Sequence, residues 1–174
     1  MKGGFRIKKV DLHEIDLLAD ISLSTFTESF YHQNDPSDFE EYAEKSLKPE
    51  VLLKEWEDPR SEFYFLYNTE NKLIGYFKLN IGINRFQQPV SDHMELQRIY
   101  ISDKNKSQGA GGYLLSQILH YAKSLKMTTI WLGVWEHNPG AIRFYERNGF
   151  KRVGDHHFNL GQSRQLDYIL ERLV

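Results

Sequence analysis

The chain has 174 residues and no cysteine. That absence excludes disulfides, thiolate zinc sites, iron–sulfur ligation and a cysteine nucleophile. Long hydrophobic runs are also missing; none approaches the ~20 apolar residues of a membrane span. The opening MKGGFRIKKV carries lysines without the apolar stretch of a secretory signal, so a cytoplasmic protein is expected. Charge of one sign is not in excess: 22 Lys and Arg face 24 Asp and Glu, a net of -2. A generic nucleic-acid binder would need a basic stripe. No Gly/Ser/Pro-rich linker or internal repeat divides the chain. What is present is 40% hydrophobic and 26% charged residues, the balance of a folded protein. The length fits one domain over residues 1–174, able to bury roughly 70% of its unfolded surface.

The order of elements reads as mixed α/β. A strand is expected over Phe5–Val10. Asp11 and Glu14 form a capping box ahead of a helix reaching about Phe30. Helices follow over Ser37–Leu47 and from Pro49 to about Trp56. Aromatic and β-branched runs predict strands at 63–67, 72–81 and 94–101. In the last of these, Met94 and Leu96 share one parity while Ile99 and Ile101 have the other. Either a bulge near Gln97 and Arg98 restores a common face, or both faces are buried. A helix then carries Leu114, Leu115, Ile118 and Leu119, followed by a strand over Thr128–Val134. A short helix, Pro139–Asn148, ends at Gly149, and two strands over 151–159 and 164–172 close the chain.

Two segments carry chemistry. Lys106-Ser107-Gln108-Gly109-Ala110-Gly111-Gly112 lies between a strand and a helix, where bare backbone N–H groups and a helix N-terminus can hold phosphate. It lacks the Lys-Ser/Thr of a Walker loop and the third glycine of a dinucleotide fingerprint. Alone it reads equally as a flexible helix start. Asn138 to Phe150 contains Ala141, Phe144 and Tyr145 on one helix side. The aromatics fit a core, but a buried Tyr145 hydroxyl needs a partner and could donate a proton.

Together these pieces resemble the GNAT superfamily of acyl-CoA N-acyltransferases. The strand Glu95–Ile101, the turn Lys106–Gly111, the strand Ile130–Val134 and the stretch Asn138–Phe150 occur in that family's order. The turn resembles its Q/R-x-x-G-x-G/A pattern, with Lys106 in the Gln/Arg position. Phe26–Phe30, Glu95–Ile101 and Ile130–Glu136 further resemble the PaiA-type polyamine acetyltransferases.

The resemblance implies a GNAT fold: a mixed, mostly antiparallel central sheet flanked by helices, with a splayed strand pair forming a slot for coenzyme A. It implies acetyl-CoA as co-substrate, a small amine such as spermidine or spermine as partner, and a homodimer. The amides of Ser107, Gln108, Gly109, Ala110, Gly111 and Gly112, with Lys106, would hold the pyrophosphate. Ile99, Tyr100 and Ile101 would border the pantetheine arm, Asn138 would bond its amide, and Arg147 would meet the adenosine phosphate or remain a surface residue. Tyr145 would protonate the departing thiolate, the Ile99 N–H would hold the oxyanion, and Glu95 would be either the base or an ordinary strand carboxylate. Glu28 and Phe30 would meet the acceptor. The histidines at 13, 32, 93, 120, 137, 156 and 157 form no metal-binding pattern, and His156 and His157 point to opposite faces of their strand; no metal is expected, and His93 or His137 near the acceptor is a minor option. Competing readings are acetylation of another small or protein amine, and a non-catalytic acyl-CoA-binding module.

Overall fold

The computed structural model describes residues 4–174; Met1–Gly3, part of the segment read for a signal, lie outside them. The elements are β1 (Arg6–Lys9), α1 (Ile15–Phe30), α2 (Pro36–Ser46), α3 (Pro49–Glu57), β2 (Ser61–Tyr67), β3 (Leu73–Ile83), β4 (Pro89–Ile101), α4 (Ala110–Ser124), β5 (Thr129–Trp135), α5 (Pro139–Arg147), β6 (Lys151–Leu160) and β7 (Ser163–Leu173). The strands form one seven-stranded sheet in the order β1-β2-β3-β4-β5-β7-β6. Its neighbours are antiparallel except β4 and β5, which run parallel.

Local chemistry sets the boundaries. The Asp11–Glu14 capping box forms, but around a 3-10 turn at Leu12–Glu14, so α1 proper begins at Ile15. Asp35 caps α2 by accepting the Ser37 N–H, with Pro36 at the first helical position. Gly149 adopts φ +85° after α5, the left-handed stop that suits glycine. One boundary differs from the sequence reading. The expected loop at 84–91 is shorter, because β4 starts at Pro89 rather than near Met94. The Asn84 side chain accepts the N–H groups of Phe86 and Gln88 at 2.9 and 3.1 Å, closing a tight turn that lets polar Ser91 and Asp92 remain in the strand.

The sheet separates two cores. Beneath α4 and α5 lies an aliphatic one, containing Leu79, Leu114, Ile118, Ile130 and Leu132. On the other face, Leu18, Leu52, Phe63, Phe65 and Tyr76 pack under α1 and α3. Phe26, Phe39, Leu47 and Leu160 extend that side under α2.

The parity change in β4 has a clear cause. Leu79 pairs with Leu96 and the preceding Lys78 with Arg98, so Gln97 is the extra residue of a bulge. The bulge brings Met94, Leu96, Ile99 and Ile101 to the same aliphatic core. Of the two alternatives open in the sequence, the bulge is the one that forms.

Candidate active site

β4 and β5 pair only from His93 to Glu95, opposite Thr129 to Trp131. Beyond Glu95 the β5 side of β4 has no ladder partner, and Gln97 bulges where the strands part. The Ser102 N–H turns the other way, to the Ile74 carbonyl of β3 at 2.9 Å. Since N–H direction alternates along a strand, the Ile101 and Ile99 amides face the open side. The same alternation turns the Tyr100 amide into β3, so Tyr100 borders the cavity without offering its N–H to the slot. Its side chain instead stands against Phe26 and Phe30.

The glycine-rich turn follows directly. Ser107 at φ 62° and Gly109 at φ 86° take left-handed conformations, which turn successive N–H groups to one side. The Tyr113 N–H donates to the Gly109 carbonyl at 3.0 Å. The amides of Ala110, Gly111 and Gly112 therefore precede the helical ladder and are free for a ligand. Lys106 departs from the sequence expectation: its ammonium is paired with Asp103, so the backbone supplies the turn's principal positive potential. The Gln108 side chain donates to the Lys104 carbonyl, holding the turn closed.

On α5, the Asn138 side chain accepts the Ala141 N–H at 3.2 Å, which leaves its amide NH₂ available. Tyr145 is buried at 6% exposure, edge-on to Phe144 and Phe150. Burial raises its hydroxyl pKa, so the group remains protonated. Arg147 is exposed at the end of α5 and does not border the cavity.

A cavity of about 270 Å³ runs through the gap between β4 and β5. Asn138, Ala141 and Tyr145 line its α5 side. Glu95 lines the opposite side; it is 7% exposed and accepts a 2.6 Å bond from the Asn80 side chain. Burial raises the Glu95 pKa, with Asn80, Lys78 and Arg98 opposing. Next to it, Arg98 makes a two-pronged bond to Glu55 at 2.8 and 3.0 Å, and Lys78 reaches Glu55 at 2.8 Å. Burial acts to raise the Glu55 pKa, but Arg98 and Lys78 outweigh it and hold the carboxyl below its ordinary value.

Phe30 joins Phe26, Tyr42, Tyr100, Trp135 and Phe158 in an aromatic wall. Glu28 does not line this cavity; its carboxylate accepts the Asp103 N–H at 2.7 Å. The reason is helical geometry: Phe26 and Phe30 are four residues apart on one side, whereas Glu28 lies two from each and faces away. His93 is also outside the cavity, and His137 borders a neighbouring polar pocket with Asp35 and Asp38. Asp11, His13 and Glu14 bring possible ligand atoms within 4.8 Å of one another, but Asp11 and Glu14 are paired with Lys8.

Several cavity residues escaped sequence reasoning: Tyr42, Arg98, Phe158, His156 and Asp167. Strand alternation distinguishes His156 from His157, which is a usable signal. Asp167 sits in a strand whose sequence gives none.

A model of the Acetyltransferase (GNAT) family matches residues 21–150. The chain belongs to this family and is an acetyl-CoA-dependent N-acetyltransferase. It is 31% identical over 171 residues to an uncharacterized N-acetyltransferase of Lactobacillus delbrueckii subsp. lactis, with 98% of each chain covered. Over 91 residues it is 29% identical to the spermine/spermidine N(1)-acetyltransferase of Bacillus subtilis (strain 168), covering 52% of this chain and 60% of that one. The fold matches the crystal structure of PaiA N-acetyltransferase from Thermoplasma acidophilum in complex with coenzyme A. There the TM-score is 0.77 and the identity 19%, over 98% of this chain and 99% of that one. The donor-side groups fit the co-substrate: outward amides on β4 suit an extended chain of amides, and the unladdered amides of α4 suit a pyrophosphate.

Proposed function

We propose that the acceptor is a primary amine of the polyamine class, acetylated by direct attack in a ternary complex. The observation that carries this reading is one cavity with Glu95 and Tyr145 on opposite sides of the strand gap, walled by aromatic rings on the acceptor side. Amines of this class have pKa values near that of Lys, ~10, and arrive as ammonium. Glu95, directly or through water, removes one proton. The nitrogen then attacks the thioester carbonyl carbon, while the Ile99 N–H stabilises the developing oxyanion. The C–S bond breaks as Tyr145 donates its proton to sulfur; the second proton of the attacking nitrogen leaves as the amide forms and, through solvent, restores the Tyr145 hydroxyl. With no cysteine in the chain, an acetyl-cysteine relay is excluded. Ser107 to Gly112 hold the pyrophosphate, Ile101 and Asn138 the pantetheine arm. The partial likeness to a spermine/spermidine acetyltransferase supports the acceptor class.

The test is thiol release from acetyl-CoA with spermidine, spermine, putrescine, a simple monoamine and a lysine peptide, with product masses measured. Selective turnover of spermidine or spermine is expected. Turnover of the peptide or monoamine alone would replace the polyamine reading.

A further inference from the structure

The mouth of the acceptor side holds a carboxylate that proton transfer does not use. Asp167 on β7 is the cross-strand partner of both Trp135 on β5 and His156 on β6. Directly opposed residues of antiparallel strands share a face, so these three side chains form one row across the sheet. All three line the cavity that holds Glu95. Gly133 leaves space beneath the row: a Cβ built there would lie 3.3 Å from His156 Cε1 and 3.4 Å from Asp167 Oδ2. The Asp167 carboxylate therefore leans along β5 toward the level of Gly133, one two-residue step beyond Trp131. Glu95 stands at the level of Trp131. The two carboxylates are thus offset by about 7 Å along β5 and, standing on the strands to either side of it, by roughly 10 Å across the sheet, with Glu95 deep in the cavity and Asp167 nearer the exposed His156. Among the described residues no hydrogen bond or ion pair engages the Asp167 side chain; burial raises its pKa, and the charge of His156 is the influence opposing this.

We infer that Asp167 is the subsite for a second ammonium of the acceptor, one alkyl spacer from the nitrogen that is acetylated at Glu95. This deepens, and rests on, the polyamine reading. The partly buried carboxylate gains a cation that it otherwise lacks, in a part of the cavity that the Trp135 ring also lines. Selection follows from the spacing. A monoamine satisfies Glu95 alone and leaves Asp167 unpaired, whereas a diamine of fitting length satisfies both.

The experiment compares kcat and KM for spermidine, for α,ω-diamines of three to six carbons and for n-butylamine, in the wild type and in Asp167→Asn. The variant should raise KM for spermidine and the best diamine at least tenfold, alter KM for butylamine less than twofold, and change kcat little. Asp167→Glu, which keeps the charge, should recover part of the spermidine affinity. Equal changes for spermidine and butylamine would overturn the subsite while leaving the polyamine reading intact. Wild-type turnover of butylamine but of no di- or polyamine would overturn both. If Asp167→Asn does not fold, the wild-type series decides: kcat/KM should peak at one spacer length, and a flat series would overturn the subsite.

Discussion

The two faces of the sheet solve their binding problems with different materials. On the reading proposed above, the donor would be met largely through backbone: the outward amides of β4 and the unladdered amides at the start of α4. The core under α4 and α5 is aliphatic and electrically quiet. On the same reading the acceptor would be met through side chains of the face under α1, α2 and α3. There the sheet carries buried Glu95, the Arg98–Glu55–Lys78 cluster and a wall of rings. The lesson of that reading is one of division: a universal donor would be held by groups every residue possesses, and a particular acceptor by groups only certain residues possess.

The largest expected effect breaks the boundary between the faces. Tyr145→Phe should lower kcat by about 10²–10⁴-fold while coenzyme affinity, read by calorimetry, changes less than about twofold. An unchanged kcat would remove Tyr145 as the proton donor.

Next in size is the charged cluster. Glu55→Ala leaves Arg98 and Lys78 buried without their shared anion and should destabilise the fold by about 3–5 kcal/mol in a denaturant titration. Because the Glu55 pKa is lowered in the folded state, the stability it contributes is present above the unfolded carboxyl range and fades as pH falls toward and below the folded value.

Glu95 should show the opposite sign. Its pKa is raised by burial, so the folded state binds more protons than the unfolded one, and stability falls as pH rises through the unfolded value toward the folded one. Glu95→Gln should therefore raise Tm at pH 7 more than at pH 4, while abolishing the basic requirement in the pH–rate profile. A profile that keeps its acidic limb would acquit Glu95.

The smallest effect concerns Glu28. Glu28→Ala removes one exposed hydrogen bond to the Asp103 amide and should cost at most about 1 kcal/mol. It should alter KM for spermidine and for a monoamine alike. A selective loss for spermidine would return Glu28 to the acceptor site.

The contrast between the faces also explains what could be read in advance. Glycines at 109, 111 and 112 lie within four residues because one helix start needs them together, so the donor turn is visible as a motif. The parity of Met94, Leu96, Ile99 and Ile101 narrowed the strand to a bulge or burial on both faces, because a strand's side chains have only two directions. The acceptor side draws on Phe26, Tyr42, Glu95, His156 and Asp167, which span most of the chain. Nothing local links them. Glu28 lies in the Phe26–Phe30 stretch that carries the resemblance, but membership of a matched stretch does not say which side of a helix a residue occupies, and Glu28 faces away from the cavity. The pairing of Lys106 with Asp103 is not legible in the sequence, because it forms only when the turn between them folds.

The bulge at Gln97 has one more consequence. A strand counts its residues in twos, and Gln97 is the odd count that resets β4 between Leu96 and Arg98. Upstream, odd numbers such as 95 belong to the charged face; downstream, even numbers such as 98 and 100 do. Shorten the strand by this residue and the two alphabets exchange sides: Arg98 and Tyr100 would face the aliphatic core, Ile99 and Ile101 the charged one. The opening between β4 and β5 is therefore not secured by any one bond. It is kept by arithmetic, since closing the sheet by deleting Gln97 would put each downstream side chain in the wrong solvent.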